Sequence, residues 1–144
     1  MKDMWMNVYN ALIANETISK KLSVKEINPD SGEEEISYQI KFFEAPETFD
    51  TSKPFIIIDV FDGPQTNAYY GSDKPLSSKF NFQINVESMN RMLTKEIAKA
   101  VKDVMLAQGY GQLSGGLDTY FKETKRFVDA RRYRKNTTIH DTDY

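Results

Sequence analysis

Side-chain chemistry starts from a nucleophile, a metal ligand or a tunable acid, and this sequence offers few of each. It has no cysteine and one histidine, His140. Thiol catalysis, disulfide staples and cysteine-ligated zinc are thereby excluded. A Ser/His/Asp set would rest wholly on His140. With Asp141 and Asp143 beside it, this imidazole falls short of the donor set that a transition-metal site takes, so no metal is expected there. Asp59, Asp62 and Glu87 are the remaining acids to weigh. Some metal-dependent nucleases carry an Asp on one strand and Glu-x-Lys on the next. Here Glu87 is followed by Ser88 and Met89, and the lysine is missing. Asp59, inside Phe-Ile-Ile-Ile-Asp-Val-Phe, reads as a buried site acid or, more simply, as a strand residue bonded to a neighbour. Gly109-Tyr110-Gly111 and Gly115-Gly116 are not followed by Gly-Lys-Ser/Thr, so a helix stop and a turn are expected rather than a phosphate loop. No catalytic residue, metal ligand or cofactor site is expected, and the chain reads as a non-enzyme.

The charges are more informative. Lys125, Arg126, Arg131, Arg132, Arg134 and Lys135 form a basic run that holds one acid, Asp129. In a strand, Arg126, Arg132 and Arg134 share a face with Val128 and Ala130, while Arg131 points the other way with Phe127, Asp129 and Tyr133. Three readings fit: a solvated edge strand protected by charge, a contact to phosphates, or pairing with an acidic surface of a neighbouring subunit. An acidic counterpart exists in Asp30, Glu33, Glu34 and Glu35. With 19 basic and 21 acidic residues the net charge is −2, whereas a dedicated nucleic-acid binder is usually basic. Separate blocks of opposite sign on a nearly neutral chain suit head-to-tail association. Arg126, Arg131, Arg132, Arg134, Glu33, Glu34 and Glu35 are therefore the candidate inter-subunit or lumen residues.

These residues need elements to position them. Residues 4–14 predict a short helix with Trp5, Val8, Leu12 and Tyr9 on its apolar stripe and Asp3 as N-cap. Residues 18–27 predict a second short helix running into extended chain. Asn28-Pro29-Asp30-Ser31-Gly32 is a turn cluster. Ile36, Tyr38, Ile40 and Phe42 alternate with polar residues as one half-buried strand. Residues 44–54 form a loop, and 55–61 form a central strand covered on both faces. Residues 62–78 read as a long connection or a loose hairpin arm. Phe80, Phe82, Ile84 and Val86 carry the cleanest period-two signal. Residues 90–108 predict the best helix, with Leu93, Ile97, Ala100, Val101, Val104 and Ala107 in one stripe and Gly109 just past its end. Residues 117–122 and 126–135 predict a hairpin.

The length, 144 residues, suits one domain. The expected class is α+β, an antiparallel or mixed β-sheet with helices packed on one face. Residues 1–135 form that domain, and 136–144 a flexible tail. The first residues lack an apolar h-region and a cleavage site, so no signal peptide is expected. No apolar run approaches a membrane span, and a soluble protein made in the cytoplasm is expected.

The layout and its closing motif resemble a known family. A short helix with Met4-Trp5-Met6-Asn7-Val8-Tyr9-Asn10-Ala11-Leu12 leads, a sheet with a long loop follows, and an amphipathic helix ends in Gly109-Tyr110. The last hairpin carries Tyr120, Glu123, Thr124, Phe127, Arg132, Tyr133 and Arg134. This resembles the tail terminator, or tail completion, proteins of long-tailed bacteriophages. The resemblance implies a hexameric ring of identical subunits that caps the head-proximal end of the tail tube. It also implies contacts to the major tail tube protein and the head-tail connector, and transient passage of genomic DNA through the lumen. Such a protein has no catalytic residues and no membrane partner, and resides in the host cytoplasm during assembly and then in the virion tail. A head-tail connector component, stopper or adaptor, is the nearest alternative. A small phage DNA-binding or DNA-processing protein is a more distant one.

Overall fold

Two short helices open the chain because Asn15 caps both. The computed structural model describes residues 3–47, 49–60, 66–71 and 74–136. Helix α1 (Met4–Ala14) starts where the Asp3 carboxylate accepts from the backbone N–H groups of Trp5 and Met6. Asn15 ends α1, and its side chain accepts from Ile18 N–H to start α2 (Glu16–Leu22). The stripe of α1 that reaches the core is Met4, Val8 and Leu12. Trp5, expected on it, is 37% exposed and lies at its margin.

Strands β1 (Ser23–Ile27) and β2 (Glu34–Tyr38) pair as a separate two-stranded antiparallel sheet. The expected single strand over 36–42 divides at Gln39, and β3 (Ile40–Phe42) joins a different sheet. Gln39 makes the break stable. It is buried, its backbone N–H donates to Leu22, and its carbonyl accepts from Ile56. Its side chain donates to the carbonyls of Asp50 and Pro54 and accepts from Asp50 N–H at 2.7 Å.

The main sheet continues with β4 (Phe55–Val60), β5 (Thr66–Gly71) and β6 (Lys74–Ser88), then helix α3 (Arg91–Ala107), β7 (Gly111–Gln112), β8 (Leu117–Phe121) and β9 (Arg126–Asn136). Its order is β3-β4-β6-β9-β7, with β5 beside β6 and β8 beside β9. The pair β3–β4 is parallel and the others are antiparallel. Within 62–78 the described residues form the hairpin arm β5–β6; 61–65 and 72–73, Asp62 among them, lie outside the described residues, as do His140 and the rest of 137–144.

Alternation sorts the sheet into two faces. Ile56, Ile58, Phe80, Phe82, Ile84, Val86 and Tyr133 form one core with Met4, Val8, Leu12, Ile18, Ile97, Val101 and Met105 of the helices. Helix α3 lies against β6, β9, α1 and α2. The fold is α+β, with its helices on one sheet face. In α3, Ala107 is exposed and Met105 fills the buried stripe instead. The helix starts at Asn90, whose side chain accepts from Leu93 N–H, and stops before Gly109 at φ +89°. Only glycine adopts that left-handed conformation without cost.

Candidate interaction surface

The residues singled out for chemistry separate into four places. Arg126 opens β9 and is 5% exposed. Its guanidinium lies 4.4 Å from the Phe55 ring centroid and donates to the carbonyls of Thr51, Lys53 and Glu87. Phe49 packs on the same Phe55 ring at 5.5 Å. Arg126 therefore clamps segment 49–54 to the sheet. This corrects its expected place at a neighbouring subunit or a lumen. Burial lowers its pKa, and Glu87 opposes that shift. Glu87, half-buried, is raised by burial and restrained by Arg126.

Asp129, 2% exposed, sits under α3 on the helix-covered face. Lys95 Nζ donates to its Oδ2 at 2.8 Å and also to Asp118. Arg131 donates to the same carboxylate through Nε at 2.8 Å and its terminal nitrogen at 3.1 Å. Burial works against the Lys95 charge, yet the bonds to both carboxylates raise its pKa overall. The Lys95 hydrogen bond holds Asp118 below the usual aspartate value. Arg131 is thus committed to a partner two residues away in its own strand. An open cleft of about 460 Å³ lies beside this cluster, with Lys95, Lys102, Gly116, Leu117 and Arg131 in its lining. Gly116, at φ +98°, could not be replaced there: a Cβ would sit 2.1 Å from the Ala130 carbonyl oxygen.

Among the described residues, no helix lies on the opposite face. Here Arg132 Nε donates to Gln83 Oε1 at 3.0 Å, Gln83 donates to Asn85 at 2.8 Å, and Asn85 donates to Asp59 Oδ2 at 2.8 Å. Arg134 Nε donates to Asn81 Oδ1 at 3.2 Å. These bonds cross three strands, β9, β6 and β4, whose register aligns Asp59 with Gln83 and Gln83 with Arg132. Asp59 is the bonded strand residue of the simpler reading. Glu87 shares its face but lies four positions along β6 from the residue opposite Asp59, about 14 Å at the strand rise. The two carboxylates cannot share one ion. Among the described residues, no three His, Asp or Glu side chains gather as a metal site.

The acidic block projects on β1–β2. Glu33, Glu34 and Glu35 are exposed, and Glu26 stands directly opposite Glu35, a like-charge pair that weakens the hairpin. Ile27 and Ile36 are 71% and 63% exposed. Such a two-stranded unit is marginal by itself.

No protein-family model matches this sequence, and no curated protein is significantly similar to it.

Position in the sheet corrects a further expectation. The basic strand β9 is not an edge, because β6 flanks it on one side and β7 and β8 on the other. Among the described residues β3 forms the edge at one end, β8 and β7 share the edge at the other, and β5 borders the arm of β6. Strand β8 is exposed throughout, with Leu117, Tyr120 and Phe121 at 53%, 45% and 40%. Beside β3, Trp5 stacks on Phe42 at 5.5 Å and meets Phe43 edge-on at 5.5 Å. Phe43 is half-exposed at φ +71°, a conformation costing a bulky residue about 1–3 kcal/mol. Sequence reasoning missed this aromatic group because it placed Trp5 in the core stripe. It also missed the amide ladder, although Asn81, Gln83 and Asn85 were visible as the polar half of the alternation in 80–87. Among the described residues no helix is long and apolar enough to cross a membrane.

Proposed function

We propose that this chain is a subunit of a virion ring, the tail terminator that caps the head-proximal end of a phage tail tube and joins it to the head connector. One observation carries the reading: among the described residues no helix covers one face of the main sheet, and there amides and hydrogen-bonded arginines stand between the buried Ile57, Val128 and Ala130. A ring that DNA crosses transiently needs a hydrophilic lining that does not hold phosphates. Asn81, Gln83 and Asn85 supply polarity without charge. Arg132 and Arg134 are each hydrogen-bonded to an amide oxygen, and Arg132 balances Asp59 through the ladder. Affinity for phosphate rises with each unneutralised cation; Asp59 offsets one of the two arginines and the other, bonded to a neutral amide, keeps its charge, so this lining gives weak, salt-sensitive contact. The closing motif supports the same reading, since Tyr120, Glu123, Thr124, Phe127, Arg132, Tyr133 and Arg134 fall on or between β8 and β9. Tyr120 packs on Phe127 with ring centroids 4.8 Å apart.

The test is to coexpress the chain with a phage tail tube protein from the same source and image the product by electron microscopy. Tubes closed at one end by a ring, and free of further growth, are expected. Rings found on connector complexes and never on tubes would favour the stopper or adaptor alternative. A fluorescence-anisotropy titration with duplex DNA at physiological salt should give no tight complex. Nanomolar binding would replace the lining argument with a DNA-binding one.

A further inference from the structure

The cleft of about 460 Å³ beside Asp129 plays no part in the ring reading, and its charges do not balance. Three cations line it, Lys95, Lys102 and Arg131, against two carboxylates, Asp118 and Asp129. Both carboxylates are engaged. Asp118 accepts from Lys95, and Asp129 accepts from Lys95 and Arg131. Lys102 is half-buried and has no ion-pair partner among the described residues. Its charge is the surplus of the cleft.

The elements bring donors in from three sides. Lys95 and Lys102 stand two turns apart on α3, so they share one helix face, about 10.5 Å apart along the axis. Strand β9 supplies Arg131, and β7 with the turn after it brings Gln112, Gly115 and Gly116. Asp129, 2% exposed, organises the two cations it holds. Its bonds to Lys95 at 2.8 Å and to Arg131 at 2.8 and 3.1 Å fix both groups before a ligand binds. Neither cation is used up. A guanidinium has five N–H donors, of which Asp129 takes two, and an ammonium has three, of which the carboxylates take two. Lys102 adds its own three.

We infer that this cleft binds a phosphoryl group, carried by a small phosphate monoester or present as free phosphate, with Lys102 as its main cation and Arg131 and Lys95 as further donors. A tetrahedral oxyanion presents oxygens toward all three sides, whereas the two oxygens of a carboxylate lie in one plane. The volume falls within the range of about 300–1,000 Å³ usual for small-ligand sites, so the cleft holds an organic remainder beside the phosphoryl group. A surplus of one charge makes the affinity modest and salt-sensitive. The site lies on the helix-covered side of the sheet, apart from the amide ladder, and the inference stands whether or not the chain forms a ring.

The experiment is equilibrium dialysis of the full chain against radiolabelled inorganic phosphate, at an ionic strength held constant with sodium chloride. Unlabelled phosphate, glycerol 3-phosphate and acetate are the competitors, and circular dichroism is the folding control. One saturable site per chain is expected. Lys102→Ala should weaken it at least about tenfold. Lys99→Ala, which removes an exposed lysine of α3 outside the cleft lining, should leave it unchanged. Displacement at a lower concentration of glycerol 3-phosphate than of phosphate would assign the site to a monoester, and the reverse order to the free ion; either result supports the inference. No saturable binding by wild type, or full binding by Lys102→Ala, would overturn it. So would an equal loss in Lys99→Ala, which would mean diffuse attraction by the helix, or displacement by acetate as readily as by phosphate.

Discussion

The same strands present two faces, and the contrast lies in what covers each. Under the helices, β4 and β6 give Ile56, Ile58, Phe82, Ile84 and Val86, all nearly inaccessible. On the reverse they give Asp59, Gln83 and Asn85, partly solvated and bonded to one another. The covered face buries the Asp129 carboxylate because two cations meet it there. The open face needs no helix because its polar groups satisfy each other across the strands. Near Phe55 this face is covered by segment 49–54, and Arg126 fastens that cover. The lesson is that burial and polarity here follow the neighbouring layer and not the strand itself.

The contrast can be broken most severely on the covered face. Val101→Asp would bury a carboxylate opposite Phe82 and Ile84 without a cation, costing about 4 kcal/mol or more. Urea denaturation should show little folded population. A midpoint near that of wild type would mean that α3 does not pack on this face. Arg126→Met comes next. It keeps some packing on Phe55 but leaves the carbonyls of Thr51, Lys53 and Glu87 short of a donor, at about 2–4 kcal/mol. Limited proteolysis should then cut first within 49–54. Asp129→Asn should cost about 1–3 kcal/mol: it breaks a buried pair, though Lys95 and Arg131 keep partial access to water.

Glu87→Gln is the finest probe, and its sign depends on pH. Burial raises the folded pKa of Glu87 above its unfolded value, so ionisation works against folding. Below the unfolded pKa both states are protonated and the variant should match wild type. As pH rises through the folded pKa the wild type loses stability relative to the glutamine variant. The difference should stay under about 1 kcal/mol, since the group is partly screened by solvent. A variant less stable than wild type at neutral pH would show that the Arg126 charge outweighs burial.

Periodicity made the elements legible. The alternation in 80–87 and the stripe of Leu93, Ile97 and Val101 identify the pairing of β6 with α3, because both elements bury one face and the period reports it. Long-range pairing was less visible. Ile36 and Ile40 look equivalent in sequence, yet one is exposed and the other buried, because Gln39 transfers the chain between sheets through bonds to residues 22, 50, 54 and 56. The arginines of β9 look alike in composition. Their fates divide according to what opposes them: segment 49–54 for Arg126, Asp129 for Arg131, and amides for Arg132 and Arg134. No local pattern encodes those partners, and for the same reason β9 read as an edge although β8 and β7 cover its flank.

Strand β6 also has a mechanical meaning. Its fifteen residues span about 50 Å at the usual strand rise. It is held by β5 along its first part, then by β9 from Lys79 onward and β4 from Phe82 onward. A pull on the arm along the strand is therefore resisted in shear, with many rungs on both flanks loaded together. A pull on β7, held to β9 at two residues, would instead peel one rung after another. Force entering through the arm thus reaches the middle of the sheet before any edge gives way.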